Sequence, residues 1–253
     1  MRDDFGDRMK AYEAIEVERR FIPMIPVYAR IDGRNFSAFT KGMDRPYDVT
    51  MTAIMAKTAK SLVAHTNARI GYTQSDEISL VWQSERYDQT IFFNHRIAKM
   101  TSVLASYATA VFTRLLYDSD LRDYAKRLPH FDCRVFQFPN RTEAANTFLW
   151  REQDATRNAI HTAVSTVYSH KECQGKNRAE MQEMMFAKGI NFNDYPAFFK
   201  RGTFVRRVTV EQPDLGDGVY RTEVRSLDMP RFGSVKNREG VIFDSEDPIG
   251  EYD

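Results

Sequence analysis

Apolar residues recur at steps of three and four along two long stretches of this chain. From Thr90 to Tyr117 they form one continuous stripe, at Phe93, Ile97, Met100, Leu104, Tyr107, Val111 and Leu115. Such a stripe lies on one side of a helix and packs against a core, so it predicts a helix over these residues. A second long helix is predicted from about Thr142 to His170.

Shorter segments complete an alternation of helices and strands. Further helices are predicted over residues 5–20, 49–66 and 179–188. Runs rich in β-branched and aromatic residues predict strands over 26–32, 68–74, 78–82, 133–138, 203–210 and 218–224. Up to residue 170 the order contains the β-α-β-β-α-β pattern. The expected fold class is therefore α+β, with a ferredoxin-like antiparallel sheet that carries helices on one face.

The chain divides into two expected regions. Residues 1–170 would form the ferredoxin-like domain, preceded by the N-terminal helix. Residues 171–253 would form a C-terminal extension of helices and strands packed on it, ending in an acidic tail from about residue 244. Between 171 and 207 there are eight Lys or Arg against four Asp or Glu, and the tail carries five acidic residues and no basic one. The basic stretch is a candidate for contacts with RNA phosphates, although a solvated helix face explains the charges equally well.

Composition narrows the class of protein. A hydrophobic fraction of 42% is sufficient for a sizeable core. No apolar run approaches the roughly 20 residues that span a bilayer, and the N-terminus is too polar for a signal peptide. The two cysteines, Cys133 and Cys173, are too few for a disulfide framework. These features predict a soluble cytoplasmic protein with no membrane partner.

Acidic residues occur where two neighbouring strands of the predicted ferredoxin-like sheet would end. Asp32 ends the first strand, and Asp76 with Glu77 lies in the hairpin between the next two. These side chains could converge at one end of the sheet, where Mg²⁺ would bind through carboxylates and substrate phosphates. Taken separately, Asp-Gly after a strand and Ser-Asp-Glu in a hairpin are also ordinary turn sequences.

The sequence has neither a G-x-x-x-x-G-K-[ST] phosphate loop nor a G-x-G-x-x-G fingerprint. A triphosphate would have to be held by metal, backbone amides and separate cations. The backbone at Gly33, Arg34 and Asn35 could approach a phosphate closely. Arg96 and Lys99, near the start of the long helix, could add positive charge, although exposed basic residues on a surface helix are equally ordinary.

Six stretches carry a family resemblance. They are RIDGRNF at 30–36, QSDE at 74–77, FNHRIAK at 93–99, FDCRVFQFPN at 131–140, FLWREQD at 148–154 and GINFNDYPAFFKRG at 189–202. In this order they resemble the tRNA-His guanylyltransferase family, whose members are metal-dependent nucleotidyltransferases that extend RNA 5′ ends in the 3′→5′ direction. The resemblance implies a domain like the palm of ordinary polymerases, with tRNA as partner and GTP and ATP as substrates. It also implies a homotetramer.

The resemblance assigns roles residue by residue. Asp32, Asp76 and Glu77 match catalytic positions, and the first two, with the Gly33 carbonyl, match the ligands of two Mg²⁺ ions. Nucleotide contacts are implied for Gly33, Arg34, Asn35, Phe36, Ser37, Arg45, Ser75, Arg96 and Lys99. Arg45 stands where the family usually has lysine. RNA contacts are implied for Arg134, Arg151, Asn158, Lys200 and Arg201.

One departure bears on the substrate. The eukaryotic enzymes carry a His-Ile-Asn-Asn-Leu-Tyr-Asn-Thr motif linked to acting on tRNA-His, and residues 156–163 here keep essentially only Asn158 of it. Met181 stands where a lysine is expected. The chain therefore looks more like the bacterial and phage-type relatives, which are template-dependent and can repair truncated tRNA 5′ ends. The alternatives are strict guanosine addition to tRNA-His, a palm-type nucleotide cyclase and a non-catalytic RNA-binding module.

Overall fold

One six-stranded antiparallel sheet organises the computed structural model, which describes residues 3–211, 214 and 219–252. Its strands are β1 (Val27–Gly33), β2 (Ile70–Gln74), β3 (Glu77–Trp82), β4 (Phe131–Gln137), β5 (Thr203–Glu211) and β6 (Tyr220–Ser226). The strand order is β4-β1-β3-β2-β5-β6. The antiparallel sheet with packed helices confirms the α+β class.

Helices connect and flank these strands. They are α1 (Asp4–Val17), α2 (Phe36–Phe39), α3 (Val49–Thr66), α4 (Ile97–Tyr117), α5 (Arg141–Val164), α6 (His170–Cys173), α7 (Arg178–Phe186), α8 (Ala197–Arg201) and α9 (Arg238–Phe243). Short polar side chains cap several of them: Asp48 accepts the amide of Met51 in α3, and Asn140 accepts that of Glu143 in α5. Within the described residues, no helix is long and apolar enough to cross a membrane.

Both faces of the sheet are covered. Odd-numbered residues of β1, with alternate residues of β3, pack against α3 and α4, as expected for a ferredoxin-like domain. The opposite face packs Tyr28, Tyr72 and Val81 against α5 and α9, so the helices are not confined to one face. Since β5 and β6 extend the sheet through the pairing of β5 with β2, the extension after residue 170 shares the sheet with the first region. The division of the chain at residue 170 stays a prediction.

The long helices differ from the predicted ones at their ends. α4 begins at Ile97 instead of Thr90 because Phe93, Asn94 and His95 have positive φ, which an α-helix does not accommodate. Its buried stripe is also rotated by about one position, to Met100, Leu104, Ala108, Phe112 and Leu116. α5 ends at Val164, and Ser169 then caps the separate helix α6.

The remaining boundaries move by smaller amounts. β4 begins two residues before the predicted strand, at Phe131, and Cys133 within it is buried as a small core residue. The last predicted strand corresponds to β6, although its first residue, 218, lies outside the described residues. The tail from Asp244 is not free: Arg141 binds the Asp244 carboxylate, and buried Arg206 donates to the carbonyl of Glu246.

Candidate active site

Acidic residues form a row across one end of the sheet. Asp32 of β1 is in register with Glu77 of β3 on one side and Asp132 of β4 on the other. The hairpin between β2 and β3 turns through Ser75, which has a left-handed φ of 48°, and Asp76. The Gly33 amide donates to the Asp76 carbonyl at 3.0 Å and thereby fixes the turn against β1. The structure thus brings Asp32, Asp76 and Glu77 to the same end of the sheet.

The surroundings of Asp76 suit a bound cation. Burial, and to a lesser extent the nearby charge of Asp32, raise the pKa of Asp76 above its usual range, while a hydrogen bond with Ser75 opposes this. No basic side chain among the described residues forms an ion pair with Asp32 or Asp76. The described part of the chain therefore provides no cation that neutralises the two carboxylates.

The carboxylates and carbonyl at this end of the sheet are typical of an open magnesium site, in which the protein supplies only some of the ligands. No group of three or more His, Cys, Asp and Glu side chains in the described part of the chain is arranged to hold a metal ion. Mg²⁺, however, is commonly bound through only one or two carboxylates, with water and substrate phosphates as the other ligands. Asp32, Asp76 and the neighbouring Gly33 carbonyl are the groups that would hold it.

Glu77 has a different environment from the two aspartates. Both of its carboxylate oxygens accept hydrogen bonds of 2.8 Å from the Arg151 guanidinium, and both side chains are buried. Ser79, which lies 3.5 Å from the same carboxylate, accepts the Tyr28 hydroxyl at 2.6 Å. Burial raises the pKa of Glu77, and Arg151 acts against that shift. Glu77 is therefore a fixed, paired anion beside Asp32, and its oxygens are already occupied.

A cavity of about 540 Å³ opens next to Asp76, which is one of its lining residues. It is bounded by the segment after β1, the β2–β3 hairpin, the second half of α5 and α8. Five of the predicted nucleotide contacts line it: Asn35, Phe36, Ser37, Arg45 and Ser75. Within the described residues, the backbone amides of Phe36 and Ser37 have no hydrogen-bond acceptor, so both can serve a ligand. The cavity has the size and polarity for one nucleotide.

Apart from Phe36, three aromatic residues of the cavity were not predicted. Tyr47 packs against Phe198 and Phe199 of α8, with ring centroids 5.2 and 4.9 Å apart, and all three line the cavity. They come from segments about 150 residues apart in the sequence. The one available signal was the Phe-Phe pair beside Lys200 and Arg201, which sequence reasoning treated only as part of a family stretch.

Gly33 permits the close packing of this segment. A Cβ atom at position 33 would lie 2.4 Å from the ring of Phe36, which is buried against Phe39, Phe112 and Phe131. Any larger residue would displace the ring and with it the start of α2. Glycine is thus required here by a side-chain contact.

Arg34 faces a second, smaller pocket. This pocket, of about 240 Å³, is also lined by Arg127 and His130. One nitrogen of Arg127 donates to the carbonyls of Phe39 and Lys41, at 2.6 and 2.8 Å. Arg127 thereby fixes the loop after α2. Arg34 does not line the larger cavity, unlike its neighbours Asn35 and Phe36.

Arg96 and Lys99 lie at the opposite end of the sheet. The start of α4 is tied to the chain before β1, because the Ile97 amide donates to the Arg19 carbonyl. The far end of α4 reaches the acidic row, where Phe112 packs on Phe131. At 1.5 Å per residue, the intervening helix separates the two basic residues from the aspartates by roughly 20 Å. Within one chain they do not reach the cavity.

The five predicted RNA contacts fall into different surroundings. Arg151 and Lys200 are buried, with Arg151 bound to Glu77 and the Lys200 amine donating to the Asn193 carbonyl, so neither is presented to an RNA surface. Asn158 lines the cavity. Arg134 is exposed on β4, and Arg201 is partly exposed. Met181, at the expected lysine position, is a core residue of α7.

Comparisons with known proteins agree with this geometry. A family model described as tRNAHis guanylyltransferase (Thg1) matches residues 6–139. A bacterial tRNA(His) guanylyltransferase-like protein solved in complex with ATP has a TM-score of 0.81 and 32% identity, and the match covers 95% of this chain and 99% of that one. Such a bacterial protein in complex with GTP gives a TM-score of 0.78, 30% identity, and 94% and 97% coverage. The tRNA(His) guanylyltransferase of Saccharomyces cerevisiae is 28% identical over 205 residues, covering 74% of this chain and 84% of the yeast protein.

Proposed function

The chain belongs to the tRNAHis guanylyltransferase family and is a nucleotidyltransferase, and from this premise we propose that it extends tRNA 5′ ends in the 3′→5′ direction. The observation that carries the proposal is the pair of carboxylates at the end of the sheet, where Asp76 lines a nucleotide-sized cavity, Asp32 lies near it, and no basic side chain of the described residues pairs with either. The bacterial relatives were solved with ATP and GTP, which supports these nucleoside triphosphates as substrates.

The proposed reaction joins two substrates at the acidic row. The 3′-hydroxyl of a nucleoside triphosphate in the cavity attacks the activated 5′ phosphorus of the RNA. Pyrophosphate leaves from a 5′-triphosphate end, or AMP from an adenylylated end. Asp32, Asp76 and the Gly33 carbonyl would hold two Mg²⁺ ions, which when bound lower the pKa of the attacking hydroxyl and neutralise charge on the phosphates. The backbone at Phe36 and Ser37 and the Arg45 side chain would hold the triphosphate.

We further propose that the enzyme repairs truncated tRNAs by copying a template base. The segment that replaces the eukaryotic histidine motif lies on α5, where Asn158 and Thr162 line the cavity. These short polar side chains suit hydrogen bonding to an incoming base without demanding guanine alone. Met181 is covered by the α5–α7 core, so this position offers no cation to a tRNA.

Assembly and location are also proposals. The homotetramer implied by the resemblance is supported by apolar residues of α1 that the rest of the chain leaves exposed. The expected cytoplasmic location stays a prediction. A palm-type cyclase would need only the cavity and the carboxylates, so the test must include turnover without RNA.

The test is 5′ extension of labelled tRNA with Mg²⁺ and each nucleoside triphosphate separately. Substrates are full-length tRNA-His and a tRNA lacking its first nucleotide, each with a 5′-monophosphate or a 5′-triphosphate. We expect template-matched addition to the truncated tRNA. Guanosine addition to tRNA-His alone would contradict repair, and turnover without RNA would favour a cyclase.

A matched variant separates the metal site from the fold. Asp76→Asn keeps the shape of the side chain and removes its charge, so we expect at least 100-fold lower extension with unchanged circular dichroism. Asp120→Asn, an exposed position on the turn after α4, is the control and should retain full activity. Normal extension by Asp76→Asn would exclude the two-aspartate site.

A further inference from the structure

An exposed tryptophan stands over the open part of the sheet beside the acidic row. Trp150, on α5, is 52% exposed, whereas Phe148 and Arg151 beside it on the helix are buried. The guanidinium carbon of Arg151 lies 4.5 Å from its ring centre, and that of Arg30 lies 6.0 Å away. Because Arg151 also binds Glu77, its guanidinium spans the gap between the Trp150 ring and the acidic row.

Two further arginines, Arg30 and Arg134, lie on the same sheet face as Asp32. Arg30 lies two residues before Asp32 on β1, so both side chains project to one face. Arg30 is in register with Arg134 of β4. Arg134 is 57% exposed and is paired only loosely with Asp132, at 3.8 Å. Such an exposed pair contributes little free energy, so Arg134 can turn to another anion.

Trp150 and Arg30 lie outside the cavity. The cavity is lined by Ala155, Asn158 and Ala159 of α5, whereas Trp150 and Arg30 do not line it. A transfer between a nucleotide and an RNA end requires both substrates to meet at the carboxylates. The cavity provides for the nucleotide, which leaves the Trp150 side for the RNA.

We propose that Trp150 is a stacking platform for the terminal base of the RNA acceptor end, with Arg30 and Arg134 contacting the adjacent backbone phosphates. This assignment rests on the proposed function and names the RNA-facing surface of the same site. The chemistry is that of single-stranded and terminal base recognition, in which an aromatic face accepts any base while cations track the backbone. A platform of this kind favours no sequence, as a repair enzyme acting on different tRNAs requires.

The two tryptophans of the chain provide a direct readout. Trp82 is 2% exposed, so only Trp150 is accessible to a ligand. The probe is a synthetic tRNA that lacks its first nucleotide and carries a 5′-triphosphate. We expect it to quench Trp150 fluorescence and to protect it from acrylamide. In Trp150→Phe the remaining Trp82 emission should not respond to the RNA.

Kinetics test the same assignment through activity. Stacking on an aromatic ring is strong enough that Trp150→Ala should raise the KM for this tRNA about 10-fold, whereas Trp150→Phe should change it less than about 3-fold. The KM for the nucleoside triphosphate should not change in either variant. Tyr87→Ala, an exposed aromatic residue after β3, is the control and should behave as wild type.

Each outcome decides one question. Two results would overturn the platform and leave the proposed function standing. One is that the wild-type protein extends tRNA and Trp150→Ala has an unchanged KM for tRNA. The other is that RNA binds without altering Trp150 fluorescence. If Trp150→Ala and Trp150→Phe lose extension activity equally and the KM for the nucleotide also changes, Trp150 has a structural role, and the platform is likewise overturned. Absence of extension by the wild-type protein would instead refute the proposed function.

Discussion

Two neighbouring carboxyl groups, Asp76 and Glu77, differ in how their charge is balanced. Glu77 has Arg151 as a bidentate partner, and removing one member of such a buried pair typically costs about 3–5 kcal/mol because the other charge remains unpaired. Asp76 is desolvated and lies near Asp32 with no cation of the described chain to offset it. The first arrangement stabilises the fold, whereas the second destabilises it until a cation binds.

Asp76→Asn should therefore raise the thermal stability of the protein in the absence of metal. The folded-state pKa of Asp76 is raised above its unfolded value, so its ionisation costs stability above the folded pKa. That cost disappears below the unfolded pKa, near 4, where the carboxyl is protonated in both states. We expect a higher Tm for the variant at pH 7, by about 2–4 °C for each kcal/mol gained, and convergence with wild type as the pH falls to about 4.

Magnesium should reverse the order of the Tm values of wild type and Asp76→Asn. Ligand binding to the folded state raises its stability, so Mg²⁺ should increase the Tm of wild type more than that of Asp76→Asn. The exposed substitution Asp120→Asn should leave both the pH profile and the Mg²⁺ response unchanged. A variant less stable than wild type at pH 7 in chelator would contradict the unneutralised charge.

At the scale of elements, one arginine fixes the loop that lines the cavity. Arg127, in the 3₁₀ turn Arg122–Arg127, donates to the carbonyls of the α2–α3 loop and lies 4.4 Å from the Tyr124 ring centre. Arg127→Ala should loosen this loop and raise the KM for nucleoside triphosphate about 3- to 10-fold with little change in kcat. Arg122→Ala, on the same turn, is the control. An unchanged KM would show that the loop is held by other contacts.

The end of the sheet at which the carboxylates lie could be predicted from the order of helices and strands, because the first strand and the following hairpin are neighbours in a ferredoxin-like sheet. That order brought Asp32, Asp76 and Glu77 to one end of the sheet. The cavity could not be predicted in the same way, since Tyr47 and Phe199 meet only after the chain has folded around α5. The start of α4 was missed because three consecutive residues with positive φ leave no mark in apolar spacing.

The position of Arg151 on the apolar side of α5 is a sequence signal for a buried ion pair. It lies on α5 at helical spacing from Phe148 and Ala155, which are buried core residues of the same stripe. An arginine on the apolar side of a helix is rarely fully buried without a partner. The spacing therefore indicates a buried ion pair for Arg151, while its assignment as an RNA contact stays a prediction. The nearest acidic residue on the sheet face that α5 covers is Glu77.

At the scale of the whole molecule, helix α1 leaves an apolar surface uncovered. Tyr12 is 63% exposed and Ile15 is 71% exposed, and α1 has no buried residue. Contiguous exposed apolar residues commonly mark an interface with another protein. The chain after α1 is bonded to the start of α4 through Arg20 and Arg96. A second copy docked on α1 would thus lie close to Arg96 and Lys99.

Tyr12→Glu with Ile15→Glu should reduce the molecular mass in solution measured by light scattering. Lys10→Glu, on the polar side of α1, should leave the mass unchanged. If the partner subunit supplies the basic pair to the cavity, loss of assembly should also lower extension. Such a contribution from the partner subunit would explain why Arg96 and Lys99 resemble triphosphate contacts although they lie at the far end of their own sheet.

Mixed assemblies test that explanation directly. An Asp76→Asn subunit lacks a working carboxylate site, and an Arg96→Glu/Lys99→Glu subunit lacks the basic pair, so each protein alone should be inactive. In a symmetric interface each subunit would give its basic pair to the site of the other. The Arg96→Glu/Lys99→Glu subunit keeps intact aspartates and can receive the basic pair of the Asp76→Asn subunit. Co-refolded mixtures should then regain about a quarter of wild-type extension, because half of the interfaces are mixed and each restores one of its two sites. Mixed assemblies verified by mass but without recovered activity would show that the basic pair acts within its own subunit or on the RNA.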